Sequence, residues 1–210
     1  MSLWGTAHAS ASNKPKFLSE DENAVAEGTK GNVFATQAGW VMQAGTAASG
    51  NNNASATPEV LVAIGGLAGT SSTTGLRTPT PTDMRFVIGT TAATDLTAGS
   101  SAATITVEIT WDEGVTVAGS PTLAIANGNQ GTGSGRGPYT CVYTATGSTA
   151  NRKRFTLASQ TIAEDDVLTI GGADIALAGG TISDTVVGGT TLAASLVLSG
   201  LTAVTHTVLA

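Results

Sequence analysis

The sequence predicts an all-β protein: an extended N-terminal arm and a small β-rich region, followed by an antiparallel β-sandwich. Three observations carry this. Thr104 to Trp111 (TITVEITW) alternates strictly, with Ile105, Val107, Ile109 and Trp111 on one face and Thr106, Glu108 and Thr110 on the other. That is the pattern of a half-buried antiparallel strand. Short β-branched runs then recur to the end of the chain. They are separated by glycine turns at Gly114, Gly119, Gly128, Gly147, Gly171-Gly172, Gly179-Gly180 and Gly188-Gly189, the spacing of a sandwich. No apolar run repeats at helical period over a normal helix length.

Residues 1–19 read as an extended arm, with Ser, Ala, Asn and Pro15 around isolated apolar anchors. Leu3, Trp4, Phe17 and Leu18, with Lys14 and Lys16 between them, are the candidate partner-binding residues of that arm. A free arm gains nothing from apolar residues at both ends, so docking on a neighbouring chain is expected, with Trp4 and Phe17 folding back on their own domain as the alternative. Residues 20–69 form a small β-rich region. It opens on an acidic segment, Glu20, Asp21, Glu22 and Glu27, where Ser19 and Glu22 have capping-box spacing for one helical turn. Strand-like runs follow at Asn32–Thr36, Gly39–Ala44 and Pro58–Leu67.

Residues 70–83 (TSSTTGLRTPTPTD) read as a Thr/Pro linker, because two prolines at spacing two favour an extended, weakly packed chain. The sandwich is expected over residues 84–210. Its strands are Arg85–Ile88, Thr104–Trp111, Val115–Val117, Thr122–Ala126, Tyr139–Thr146, Arg154–Ala158, Val167–Ile170, Asp174–Leu177 and Leu192–Leu198. The glycine-rich stretch Gly128–Gly137 reads as a mobile hairpin loop. Trp111 and Cys141 read as core residues.

Composition narrows the function. The 210 residues include 27 glycines, yet only 4% are aromatic and 11% charged, against about 25% charged in an ordinary domain. The polar surface must come from Thr, Ser, Asn and backbone. Highly charged disorder is excluded, and so is collagen, which needs a Gly-X-Y period. A net charge of −6 and a pI near 4.7 argue against a nucleic-acid partner. One cysteine excludes an internal disulfide. No secretory signal is read in Met1–Ser10, and the apolar run Leu61–Ala68 is too short to span a bilayer, so no membrane association is expected.

No catalytic constellation emerges. His8 and His206 lie near opposite ends, which leaves no base beside a nucleophile. The glycine-rich stretch lacks phosphate-loop spacing. Asp112-Glu113 and Asp165-Asp166, with Glu164, offer oxygens for calcium, but ordinary turn chemistry explains them as well and no Asp-x-Asp-x-Asp-Gly loop exists. No metal and no cofactor are expected. Arg152, Lys153 and Arg154 form the one basic cluster. It reads either as a basic patch meeting an acidic neighbouring subunit, or as a solvated turn that blunts an edge strand.

Two resemblances add to this reading. ITVEITWDEGVTVAGSPTLAI, Ile105 onward, and DVLTIGGADIALAGGTISD, ending at Asp184, are similar to the Ig-like repeats of large bacterial and phage surface proteins. Trp111-Asp112-Glu113 replaces the usual Phe-Ser-Glu, and the insert Asn127–Pro138 is longer than usual. The resemblance implies an Ig-like sandwich, a scaffold that does not fix function. The second covers residues 1–67. Ser2-Leu3-Trp4-Gly5, Lys14-Pro15-Lys16-Phe17-Leu18, Ala38-Gly39-Trp40-Val41 and Glu59-Val60-Leu61-Val62-Ala63 resemble, in order and spacing, small virion structural proteins of marine tailed phages of the cyanophage type. It implies a virion component.

The function expected from both is therefore non-enzymatic: a phage capsid decoration or cement protein. The arm would clamp the shell, and the Ig-like sandwich would face outward. The expected partners are the major capsid protein or other virion proteins, and a homo-oligomer, for example a trimer, with weak glycan binding as an added option. The protein would be made in the bacterial cytoplasm and reside on the capsid surface. The alternatives are a neck, tail or fibre component, or an adhesin that binds glycans of the host surface.

Overall fold

The computed structural model describes residues 14–21, 29–49, 52–69, 76, 78–88, 91–92, 96–97, 103–130, 135–185 and 191–210. The chain is all-β. β1 (Val33–Thr36), β2 (Gly39–Met42) and β3 (Glu59–Ala63) make a three-stranded antiparallel sheet in the order β1-β2-β3. The remaining elements are β4 (Pro81–Ile88), β5 (Thr91–Ala92), β6 (Leu96–Thr97), β7 (Ala103–Trp111), β8 (Val115–Ala118), β9 (Thr122–Gln130), β10 (Tyr139–Thr144), β11 (Arg152–Gln160), β12 (Asp166–Ile170), β13 (Thr181–Asp184) and β14 (Val204–Leu209).

Nine of them form one sheet in the order β5-β4-β7-β11-β10-β9-β12-β14-β6, and β8 pairs with β13. Every pair is antiparallel except β14 with β6. Take the seven longer strands of the large sheet alone. Their order, β4-β7-β11-β10-β9-β12-β14, is the one obtained when the ABED and CFG sheets of a constant-type immunoglobulin sandwich are joined through D and C. The sheet folds over on itself. Phe86 on β4 and His206 on β14, near its two ends, meet edge to face at 5.3 Å. The alternating side chains of Ile105, Val107, Ile109 and Trp111 fill the space between the layers with Leu123, Ile125, Phe155, Leu168 and Ile170. Trp111 is fully buried and its indole N–H donates to Ser195 O, which satisfies the polar atom of a large core side chain.

Edges are closed by local devices. β5 pairs with β4 and β6 with β14, so one stretch of chain covers both ends of the large sheet. In the small sheet, Trp40 pairs with Val62 and Val41 with Val60, which leaves Leu61 as the extra residue of a bulge on β3. A bulge of this kind discourages further strand addition. The β1–β2 hairpin closes at Gly39, whose φ of +129° suits glycine, and a Cβ there would collide with Val62 O. A second core lies under this sheet: Leu18, Val33, Ala35, Trp40, Met42, Leu67, Ala68 and Leu76.

Several expectations are corrected. The Thr/Pro stretch is not a free spacer over its whole length. Pro81–Asp83 already belong to β4, and Leu76 is buried in the second core, its N–H bonded to Leu67 O. β7 is covered on both faces, since Glu108 and Thr110 are buried as well as the apolar side. β9 runs on to Gln130, through the start of the expected loop. Asp174–Leu177 and Leu192–Leu198 contribute only single bridges, at Ala176 and Ala193. Of the acidic segment, Glu22 and Glu27 lie outside the described residues, while Ser19 Oγ accepts the Asp21 N–H.

Candidate functional site

Two places concentrate the chemistry: the root of the arm, and the seam where the three-stranded sheet meets the sandwich. Leu3 and Trp4 lie outside the described residues. Lys14 is buried and its ammonium donates to Lys30 O at 2.7 Å. Lys16 is exposed. Leu18 is a member of the chain's own second core, which corrects its expected role as an anchor for a neighbour: an apolar side chain already out of water has no burial left to give. Phe17, between them, is 70% exposed. The root is thus held by its flanks with one aromatic ring turned outward.

The seam is built from backbone first. The Ala35 N–H on β1 donates to Asp112 O at 2.8 Å, and Ala35 and Glu113 form a parallel bridge. Asn151 Nδ2 donates to Gly31 O at 3.0 Å and to Trp111 O at 3.2 Å. Arg152 Nε donates to the same Gly31 O at 2.9 Å. Asp112 also holds the incoming chain, its Oδ1 accepting the Thr80 N–H at 2.7 Å. These contacts join the two cores directly.

Charge is buried on both sides of this seam. On the sandwich face, Arg85, Glu108 and Arg154 stand in register across β4, β7 and β11. Arg85 donates to Glu108 Oε1 through Nε at 3.1 Å and Nη2 at 2.8 Å, Arg154 Nε reaches Oε2 at 3.0 Å, and Arg152 lies 3.6 Å from Oε1. The expected inter-subunit basic patch is therefore corrected. Arg152, Lys153 and Arg154 begin β11, and Arg152 and Lys153 are each only 7% exposed; they serve the interior, drawn in by Glu108 and by seam carbonyls. Burial lowers Lys153 to about 8, with its ammonium donating to Thr149 O.

The acidic side is Asp112, Glu113 and Asp184, at 0%, 1% and 4% exposure. Burial pushes Asp112 up to about 6, against the pull of the Thr80 N–H and of Lys14. Burial, reinforced by the charges of Asp112 and Asp184, pushes Glu113 up to about 9. Burial also raises Asp184. Groups so enclosed cannot reach a dissolved substrate, whatever their proton affinity. In the other acidic turn Asp166 is occupied by the Arg136 guanidinium, which with the Ala163 N–H and Asn127 outweighs burial and holds the carboxyl low. Among the described residues no cluster of His, Cys, Asp and Glu could hold a metal. Cys141 is buried with its thiol pushed up to about 12, which denies it thiolate reactivity.

Sequence reasoning missed Asn151, Glu108 and Asp184 as functional partners. Strand register could have paired Glu108 with Arg154; nothing local marks Asn151 as the seam's amide. Comparison with known proteins gives no match, since no family model, no curated protein and no solved structure matches this chain.

Proposed function

We propose that this chain is a non-enzymatic structural protein of a phage virion, a capsid decoration or cement protein that grips the shell with its N-terminal arm and carries an Ig-like sandwich outward. The observation that supports it best is the arm root. Phe17 is 70% exposed while Lys14 and Leu18 beside it are buried. The buried neighbours place the backbone beneath the ring, and covering the ring with a partner would contribute about 1.5–3 kcal/mol before the cost of fixing its rotamer. The directly bonded seam adds to this reading, because a load on the arm is passed to the sandwich through hydrogen bonds and not through a slack tether. Trp40 and Trp111 are both buried, which weighs against a tryptophan platform for sugars on the described surface.

The test uses particles stripped of this protein. Wild type, Phe17→Ser and a chain lacking residues 1–13 are added back and particle-bound protein is measured by sedimentation. Both variants should keep the wild-type unfolding temperature and lose at least tenfold in binding. Undiminished binding by both would remove the arm from the mechanism. Binding confined to one vertex would point to the neck or tail.

A further inference from the structure

We propose that Glu113 makes the seam between the three-stranded sheet and the sandwich a proton-sensitive joint, closed while its carboxyl group carries a proton and loosened when the proton leaves. The inference goes beyond the virion reading and does not depend on it.

Placement carries the case. Glu113 is 1% exposed, bridges Ala35 of β1, and its Oε1 has no hydrogen-bond partner. Asp112, fully buried, supplies the carbonyl that holds the Ala35 N–H, and its Oδ2 is likewise without a partner. The two residues that tie β1 to the sandwich are thus the two that bring unsatisfied carboxyl oxygens into the seam. Among the described residues, the charged groups facing Glu113 are Asp112 in the same turn and Asp184 on β13. Lys14, from the arm root, faces Asp112. β1 (VFAT) and β8 (VTVA) bring no titratable side chain. An ionised Glu113 would therefore be a buried charge among acids, without a counter-ion of its own, and such a charge is strongly disfavoured.

The sign follows from linkage. With the seam closed Glu113 titrates at about 9; exposed by opening, it returns to its ordinary 4.5. Between those values the closed form binds more protons, so closing weakens as pH rises, by up to about tenfold per pH unit, and the loss levels off above about 9. Asp112 acts in the same sense at lower pH, between its ordinary 3.8 and about 6.

The experiment is amide hydrogen exchange of the full chain from pH 6 to 9.5, read as protection factors. The Ala35 N–H reports the seam and the Phe155 N–H, on interior strand β11, reports the sandwich. The protection of Ala35 relative to Phe155 should fall tens of fold between pH 7 and 9, and Glu113→Gln, a neutral isostere, should abolish the fall. A flat wild-type profile, or an equal fall in the variant, would overturn the proposal. Should Glu113→Gln fail to fold, the carboxyl-carbon titration of wild-type Glu113 decides: a midpoint near 9 supports the joint and one near 4.5 overturns it.

Discussion

Glu108→Gln is the sharpest test of the sandwich interior. The side chain is 2% exposed and serves three guanidinium groups, Arg85, Arg152 and Arg154, at 2.8–3.6 Å. Removing its charge leaves three cations at under 15% side-chain exposure with their shared carboxylate gone. Breaking a buried pair by deleting one partner costs about 3–5 kcal/mol, a large share of the roughly 5–15 kcal/mol that keeps a domain folded. Urea unfolding of the full chain measures it: with a slope of about 2–3 kcal/mol per molar, the midpoint should fall by about 1–2.5 M. Arg85→Met on the Glu108→Gln background should cost less than Arg85→Met alone, since the two residues are coupled. A Glu108→Gln cost below about 1 kcal/mol, the range of a surface ion pair, would refute a buried charge ladder.

Leu18→Ala should destabilise the chain by about 2–4 kcal/mol, as core truncations do, while Phe17→Ser stays within about 0.5 kcal/mol; thermal unfolding separates the two neighbours. Lys153 has a lowered folded pKa, so the unfolded chain binds more protons between about 8 and 10.5, and its burial costs stability in full below about pH 8, easing as pH rises to 10.5. Lys153→Met should therefore stabilise at pH 7 by about 1–3 kcal/mol and lose the alkaline gain, seen in urea midpoints against pH. Gly39→Ala should prevent closure of the β1–β2 hairpin, because its φ of +129° and the nearness of Val62 O both exclude a side chain. A soluble variant with a wild-type circular dichroism spectrum would contradict that.

The all-β architecture was legible because period-two alternation is local: Ile105 to Trp111 declares its apolar face without help from any other strand. The polar face of that strand was not legible. Glu108 looks solvated until Arg85 and Arg154, 23 residues before it and 46 after, close over it through strand register, as Asp83 and Arg152 flank Thr110. Arg152, Lys153 and Arg154 misled in the same way, since a run of three cations after a turn reads as surface and only the fold reveals the carbonyl of Gly31 and the carboxylate of Glu108. The prolines at 79 and 81 signalled an extended chain correctly, but extension is shared by linkers and edge strands, and β4 is the latter over Pro81–Asp83. The seam acids are raised first by burial, which needs the packed fold, and Asp184 adds its charge to Glu113 across about 70 residues of sequence.

The proposed virion role is tested most directly by counting copies of this protein in purified particles of the proposed phage, by quantitative mass spectrometry against the major capsid protein. Hundreds of copies, in fixed proportion to the shell lattice, are the expected result for a decoration protein. A dozen copies would place it at the neck, tail or fibres, and absence from the particle would contradict a virion role altogether.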